Sequence, residues 1–149
     1  NTFLGGKAMK KWMKKFKNER GLTLVELLAV IVILAIVAVI AFVMIGNIID
    51  NSRKDSHIAN AQQLIASAKL YEADGGQIGE EGVNNSTLEQ GGFLDKLIDP
   101  WDSKNDSYKG TVEKDGHEYK VTITGQKGDC NIKDEDEKSL AGDREDVCQ

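Results

Sequence analysis

Nineteen consecutive apolar residues, Leu27 to Ile45, constrain this chain more than any other feature. Counted from Leu22 the run reaches 24 residues, with Thr23 and Glu26 as its interruptions. At about 1.5 Å of rise per residue, roughly 20 residues of helix cross a bilayer core. A buried core helix is the alternative, but a stretch this apolar is rare in soluble proteins of this size. Charge assigns a direction. Residues 1–20 carry seven Lys/Arg (Lys7, Lys10, Lys11, Lys14, Lys15, Lys17, Arg20) against Glu19, a net of +6. The whole chain stands at −5, so residues 21–149 carry −11. The basic side is expected in the cytoplasm, with everything after about Gly46 on the far side. The acidic body argues against nucleic-acid binding.

A secretory signal peptide has an apolar core of about 7–15 residues followed by a small-x-small cleavage site. Here the run is longer, and the passable site Val39-Ile40-Ala41 lies inside it, with Phe42-Val43-Met44-Ile45 beyond. Glu26 is the remaining anomaly. An ionisable group within a membrane helix costs a few kcal/mol at the bilayer centre and is a functional candidate by default.

The flanking residues read Lys14-Lys15-Phe16-Lys17-Asn18-Glu19-Arg20-Gly21, then Leu22-Thr23-Leu24-Val25-Glu26-Leu27-Leu28. A basic leader ending in Gly, then an apolar helix with Glu five residues past that Gly, resembles the class III signal of type IV pilins and pseudopilins. The resemblance covers Lys14–Phe42. It implies a leader peptide over residues 1–21, a transmembrane and filament-core helix over 22–49, and a globular extracellular head over 50–149. It also implies a prepilin peptidase/methyltransferase that cuts between Gly21 and Leu22 and methylates the new terminus. Leu22 stands where Phe is more usual, and Ala35 and Val43 replace the midway Gly and Pro of many relatives. Met9 and Met13 are the natural starts of a short leader, and residues 1–8 are assigned no role.

Cleavage after Gly21 would create an α-amino group one helical turn from Glu26. Pairing of opposite charges in a low-dielectric setting offsets the desolvation of each. In a staggered stack of parallel helices, Glu26 of one subunit meets the Leu22 amine of the next. That contact sets register while apolar faces supply adhesion, and a non-closing repeat builds a helical filament. Pairing within one chain, or snorkelling of Glu26 to the interface, is the alternative.

The helix is expected to continue. Ile58, Ala61, Leu64, Ile65, Ala68 and Tyr71 recur at helical spacing, and Gly75-Gly76 supplies a stop. A single helix over Leu22–Ala73 would be roughly 78 Å long. Ser86 with Glu89 reads as a capping box, placing a helical turn near Thr87–Gln90. Phe93, Leu94, Leu97 and Ile98 read as a second short helix under a sheet. Lys114-Asp115-Gly116 marks a hairpin turn between a strand near Lys109–Glu113 and one carrying Tyr119, Val121 and Ile123, and a third strand is placed near Asn131–Lys133. His57 falls on the helix and His117 on a strand. The expected fold class is α+β: a long N-terminal α-helix, half membrane-spanning and half amphipathic, packed on a small antiparallel sheet with a C-terminal disulfide loop. Asp99-Pro100-Trp101-Asp102 followed by Tyr108 resembles the Asp-Pro-Trp segment of many pilins and major pseudopilins, and reads as a packing and turn element.

Cys130 and Cys148 frame an acidic tail. An even count outside the cytoplasm favours a disulfide, and closing such a loop contributes about 3 kcal/mol in the chain-entropy account. Their position resembles the C-terminal disulfide-bounded loop of many type IV pilins. Two free thiols are the alternative. The acidic tail offers oxygen ligands but lacks EF-hand spacing, and it reads as a solvated face rather than a calcium site. No nucleophile–base pattern, phosphate loop or metal-ligand cluster is evident, so no enzyme activity, cofactor or metal is expected. The first reading is a type IV pilus subunit for adhesion, aggregation or motility, held in the cytoplasmic membrane and then built by the pilus assembly machinery into a homo-oligomeric surface filament. A pseudopilin of a type II secretion or DNA-uptake machine is the second. A single-pass anchor displaying a binding domain, with the Gly21–Leu22 bond intact, is the reading from another class.

Overall fold

The computed structural model describes residues 5–148, with side chains from Arg20 onward. The basic side chains Lys7 to Lys17 lie outside the described residues. The chain divides into two compact units between Asn47 and Ile48. The fold is α+β. Helix α1 (Gly5–Ala73) is followed by β1 (Val83–Asn84), α2 (Asn85–Gln90), β2 (Lys109–Asp115), β3 (Glu118–Thr124), β4 (Ile132–Asp136), α3 (Glu137–Leu140) and α4 (Arg144–Val147).

Within the first unit, α1 is apolar on every side from Leu27 to Ile45. Its described side chains are exposed apart from the half-exposed Ala41. The helix passes through Gly46 without a break. It is long and apolar enough to cross a membrane, with a mean hydropathy of 3.5 over its most apolar window.

The second unit contains the core. On α1, Ile58, Ala61, Leu64, Ile65 and Ala68 are buried, the three-and-four spacing of one helix face. They pack with Val112, Val121, Ile123 and Ile132 of the sheet, whose strands run antiparallel in the order β1-β2-β3-β4. Gly110 on β2 faces Leu64 so closely that a Cβ there would collide with the leucine methyl. The helix stops as its glycines require. Gly75 adopts φ +97°, its N–H reaches the Glu72 carbonyl at 3.1 Å, and Gly76 N–H reaches the Tyr71 carbonyl at 2.9 Å. This paired closure satisfies carbonyls the helix would otherwise leave bare.

The structure corrects several sequence expectations. The cap of α2 is Asn84, not Ser86: its Oδ1 accepts the Thr87 N–H at 2.8 Å. Glu89 does not close a capping box but accepts from Asn85 Nδ2 at 2.9 Å and from the Leu97 N–H at 3.0 Å. That second bond also explains why residues 93–98 form no helix. The Leu97 amide is donated to a side chain of α2, Gly91-Gly92 opens the segment, and Pro100 restrains Asp99 behind it. Leu94 and Leu97 are still buried, whereas Ile98 is 51% exposed. The hairpin turn falls at Gly116-His117, so Lys114 and Asp115 belong to β2 and His117 leaves the strand. The two-residue β1 had no signal of its own, and the last strand runs further than expected, to Asp136.

Candidate functional site: the Gly21–Glu26 segment

Gly21, Leu22, Thr23 and Glu26 all lie within α1. Four residues make about one turn, so Leu22 and Glu26 share a face. Leu22 is 62% exposed and Glu26 is also exposed. The Thr23 hydroxyl donates to the Arg20 carbonyl at 3.1 Å, the back-bond a threonine makes within a helix. Among the described residues no ion pair involves Glu26. At Gly21 an added Cβ would meet nothing within 4 Å. Packing in this chain therefore does not demand glycine there, although glycine in a helix interior costs about 1 kcal/mol relative to alanine.

Residues 16–42 match the prokaryotic N-terminal methylation motif. No curated protein and no solved structure matches the chain. The methylation motif holds all four residues just described, and it supports a type IV pilin-like or pseudopilin precursor. It implies processing by prepilin peptidase and assembly into pili. Together with the apolar helix it fits a precursor anchored in a membrane.

The second unit brings together groups that sequence reasoning treated separately. Cys130 and Cys148 form a disulfide, and Cys130 is wholly buried. His57, read only as a helical residue, is buried beside it. Its Nδ1 lies 2.7 Å from the Tyr108 hydroxyl, which also accepts from Asn60 Nδ2 at 3.0 Å. Its ring meets Trp101 edge-on at 5.4 Å between centroids. Burial pushes the His57 pKa down, offset in part by the Cys130 carbonyl and the Asp99 carboxylate. Nε2 has no hydrogen-bond partner of normal geometry. Burial likewise pushes the Tyr108 hydroxyl up to about 12, so it stays protonated.

Asp99 organises the Asp-Pro-Trp turn. Its carboxylate accepts from the Trp101 N–H at 3.0 Å, Asn105 Nδ2 at 2.7 Å and the Lys127 N–H at 2.9 Å. These bonds make the segment a packing element, as its sequence indicated. At the end of α1, Glu72 accepts from both Lys114 and Tyr119, which hold its carboxyl below the usual range. Among the described residues no group of three or more His, Cys, Asp or Glu side chains is arranged to hold a metal.

Proposed function

We propose that this chain is a structural subunit of a type IV pilus, cut after Gly21 and assembled through its N-terminal helix. The observation carrying the reading is the methylation motif centred on a glycine and a glutamate that packing within the chain does not explain. Residues 1–21 would be removed as leader. Residues 22–49 would form the membrane-stored and later filament-core helix, and residues 50–149 the displayed head.

Physical chemistry connects these parts. Leu24, Leu28, Ile31 and their neighbours are exposed apolar side chains. Lipid suits them before assembly and other copies of the same helix suit them after it. The cut converts the Leu22 amide into an ammonium group one turn from Glu26. A carboxylate and an ammonium paired between neighbouring helices would fix axial register, whereas apolar contacts alone tolerate sliding.

A pseudopilin role in a secretion or DNA-uptake machine is the second reading, favoured by the small four-stranded head and its Asp99-Pro100-Trp101 turn. Terminal sequencing of the mature chain from membranes tests the shared part. An N-methylated Leu22 is expected, and an intact Gly21–Leu22 bond would sink both readings in favour of a plain anchor. Isolation of long surface fibres containing the chain supports the pilin, while retention in a short envelope-bound assembly supports the pseudopilin.

A further inference from the structure

Three residues of α1 meet the C-terminal segment, and they are seven apart: Asp55, Gln62 and Lys69. Asp55 accepts a two-pronged contact from Arg144, Nε at 2.7 Å and Nη2 at 2.6 Å. Gln62 Nε2 donates to the Leu140 carbonyl at 3.2 Å, and Lys69 Nζ donates to Glu137 Oε2 at 2.5 Å. Seven residues are close to two helical turns, so the three side chains form one stripe along α1. Their partners run in the opposite order, which lays residues 137–144 antiparallel along that stripe. At its far end the segment is clamped by the Cys130–Cys148 disulfide.

We propose that residues 137–148 are a redox-releasable strap, closed over α1 while Cys130 and Cys148 are joined and opened by a dithiol reductant without unfolding the rest of the head. The polar ties alone hold weakly, because ion pairs that water reaches contribute little. Of the segment's side chains only Leu140 and Val147 are buried. Its helices α3 and α4 have four residues each, too short to persist without their docking surface. Most of the core is supplied by α1 and the sheet, Leu64, Ile65, Val112, Val121, Ile123 and Ile132 among it, and the strap adds Leu140 and Val147 to that cluster.

Access to the sulfurs sets the order of events. Cys148 is half-buried and Cys130 fully buried, so the first attack is assigned to the Cys148 sulfur. The disulfide breaks, Cys130 leaves as thiolate and takes up a proton, and Cys148 is held in a mixed disulfide. The second reductant thiolate then displaces Cys148, which is protonated in turn. Two electrons have passed from the dithiol, which ends as its own disulfide. Opening parts Asp55, Gln62 and Lys69 from their partners, uncovers the seats of Leu140 and Val147, and frees an acidic tail.

Hydrogen–deuterium exchange on the full-length chain in detergent, oxidised or treated with dithiothreitol and alkylated, tests this. Exchange across 137–148 is expected to rise by about tenfold or more on reduction, while α1 from Ile58 to Ala68 and strands β2–β3 stay within about twofold. Protection lost across the whole unit would overturn the proposal, since the disulfide would then be holding the entire fold. A strap that stays protected after reduction would overturn it too. An Asp55→Asn, Lys69→Gln double variant, kept oxidised, separates the two locks. It should raise strap exchange by less than about threefold. Opening as complete as that caused by reduction would make the polar seam, not the disulfide, the lock.

Discussion

The two halves of α1 are both helical, but they are stabilised in different ways. From Leu27 to Ile45 the side chains are apolar all round, and none is buried within this chain. From Ile58 to Ala68 apolar residues occupy one face, and that face is sealed against the sheet. A helix apolar on every side has no single surface to bury and needs an environment that surrounds it. An amphipathic one is satisfied by one neighbour. The first half thus needs surroundings that cover it on every side, and the second is satisfied by its own head.

Truncating a buried leucine should separate the halves most sharply. Leu64→Ala removes a side chain with no exposure, packed over Gly110, and should destabilise the head by about 2–5 kcal/mol. Leu28→Ala, 58% exposed, should change head stability by less than about 0.5 kcal/mol. Denaturant unfolding of the full chain in detergent, followed by Trp101 fluorescence in a Trp12→Phe background, measures both. Equal losses would mean that the halves do not divide the work as described.

The converse experiment concerns assembly. Glu26→Gln keeps the size of the side chain and removes its charge, so filament yield should fall at least tenfold by sedimentation of sheared surface material, as expected when a desolvated charge loses its partner. The melting of the head should not move. Filaments at normal yield would show that register does not depend on the carboxylate.

Acid should affect only the second half. The His57 pKa is lowered in the folded state, mainly by burial. Its contribution is therefore complete above the unfolded value of about 6.5 and declines as pH falls below it toward the lowered native value. The Asp55, Glu72 and Asp136 carboxylates are also lowered, by Arg144, by Lys114 with Tyr119, and by the Ser139 N–H respectively. Their contributions persist until pH falls through about 4 and below. Melting temperature should therefore fall as pH drops below about 6.5 in the wild type, before the carboxylates titrate, and this slope should flatten in His57→Gln. An unchanged slope in that variant would assign the acid sensitivity elsewhere. The smallest effect is expected from Glu72→Gln at the end of α1. It should lower the melting temperature slightly, and less at high salt, because the carboxylate and its Lys114 partner are both reached by water.

Much of this was legible in the residue order. Apolar period, glycine position and charge distribution are local properties, and they locate α1 from Leu22 on (though it begins at Gly5), its stop at Gly75-Gly76, the central hairpin and the Gly21–Glu26 segment. Capping and turn details failed where a nonlocal bond intervened. Glu89 was free to cap α2 by sequence, but it is taken by the Leu97 amide, which also removes the helix expected at 93–98.

What the sequence by itself determined is the division of labour along α1, because burial demand follows from which residues are apolar and how often they recur. Only the tertiary structure decided which distant groups become neighbours. Placing His57 against Tyr108 and the Cys130 disulfide, and laying Arg144, Leu140 and Glu137 along Asp55, Gln62 and Lys69, depends on how the sheet folds back over the helix. The stripe at seven-residue spacing is present in the sequence as three ordinary polar residues. It acquires meaning when a segment far along the chain is packed beside it.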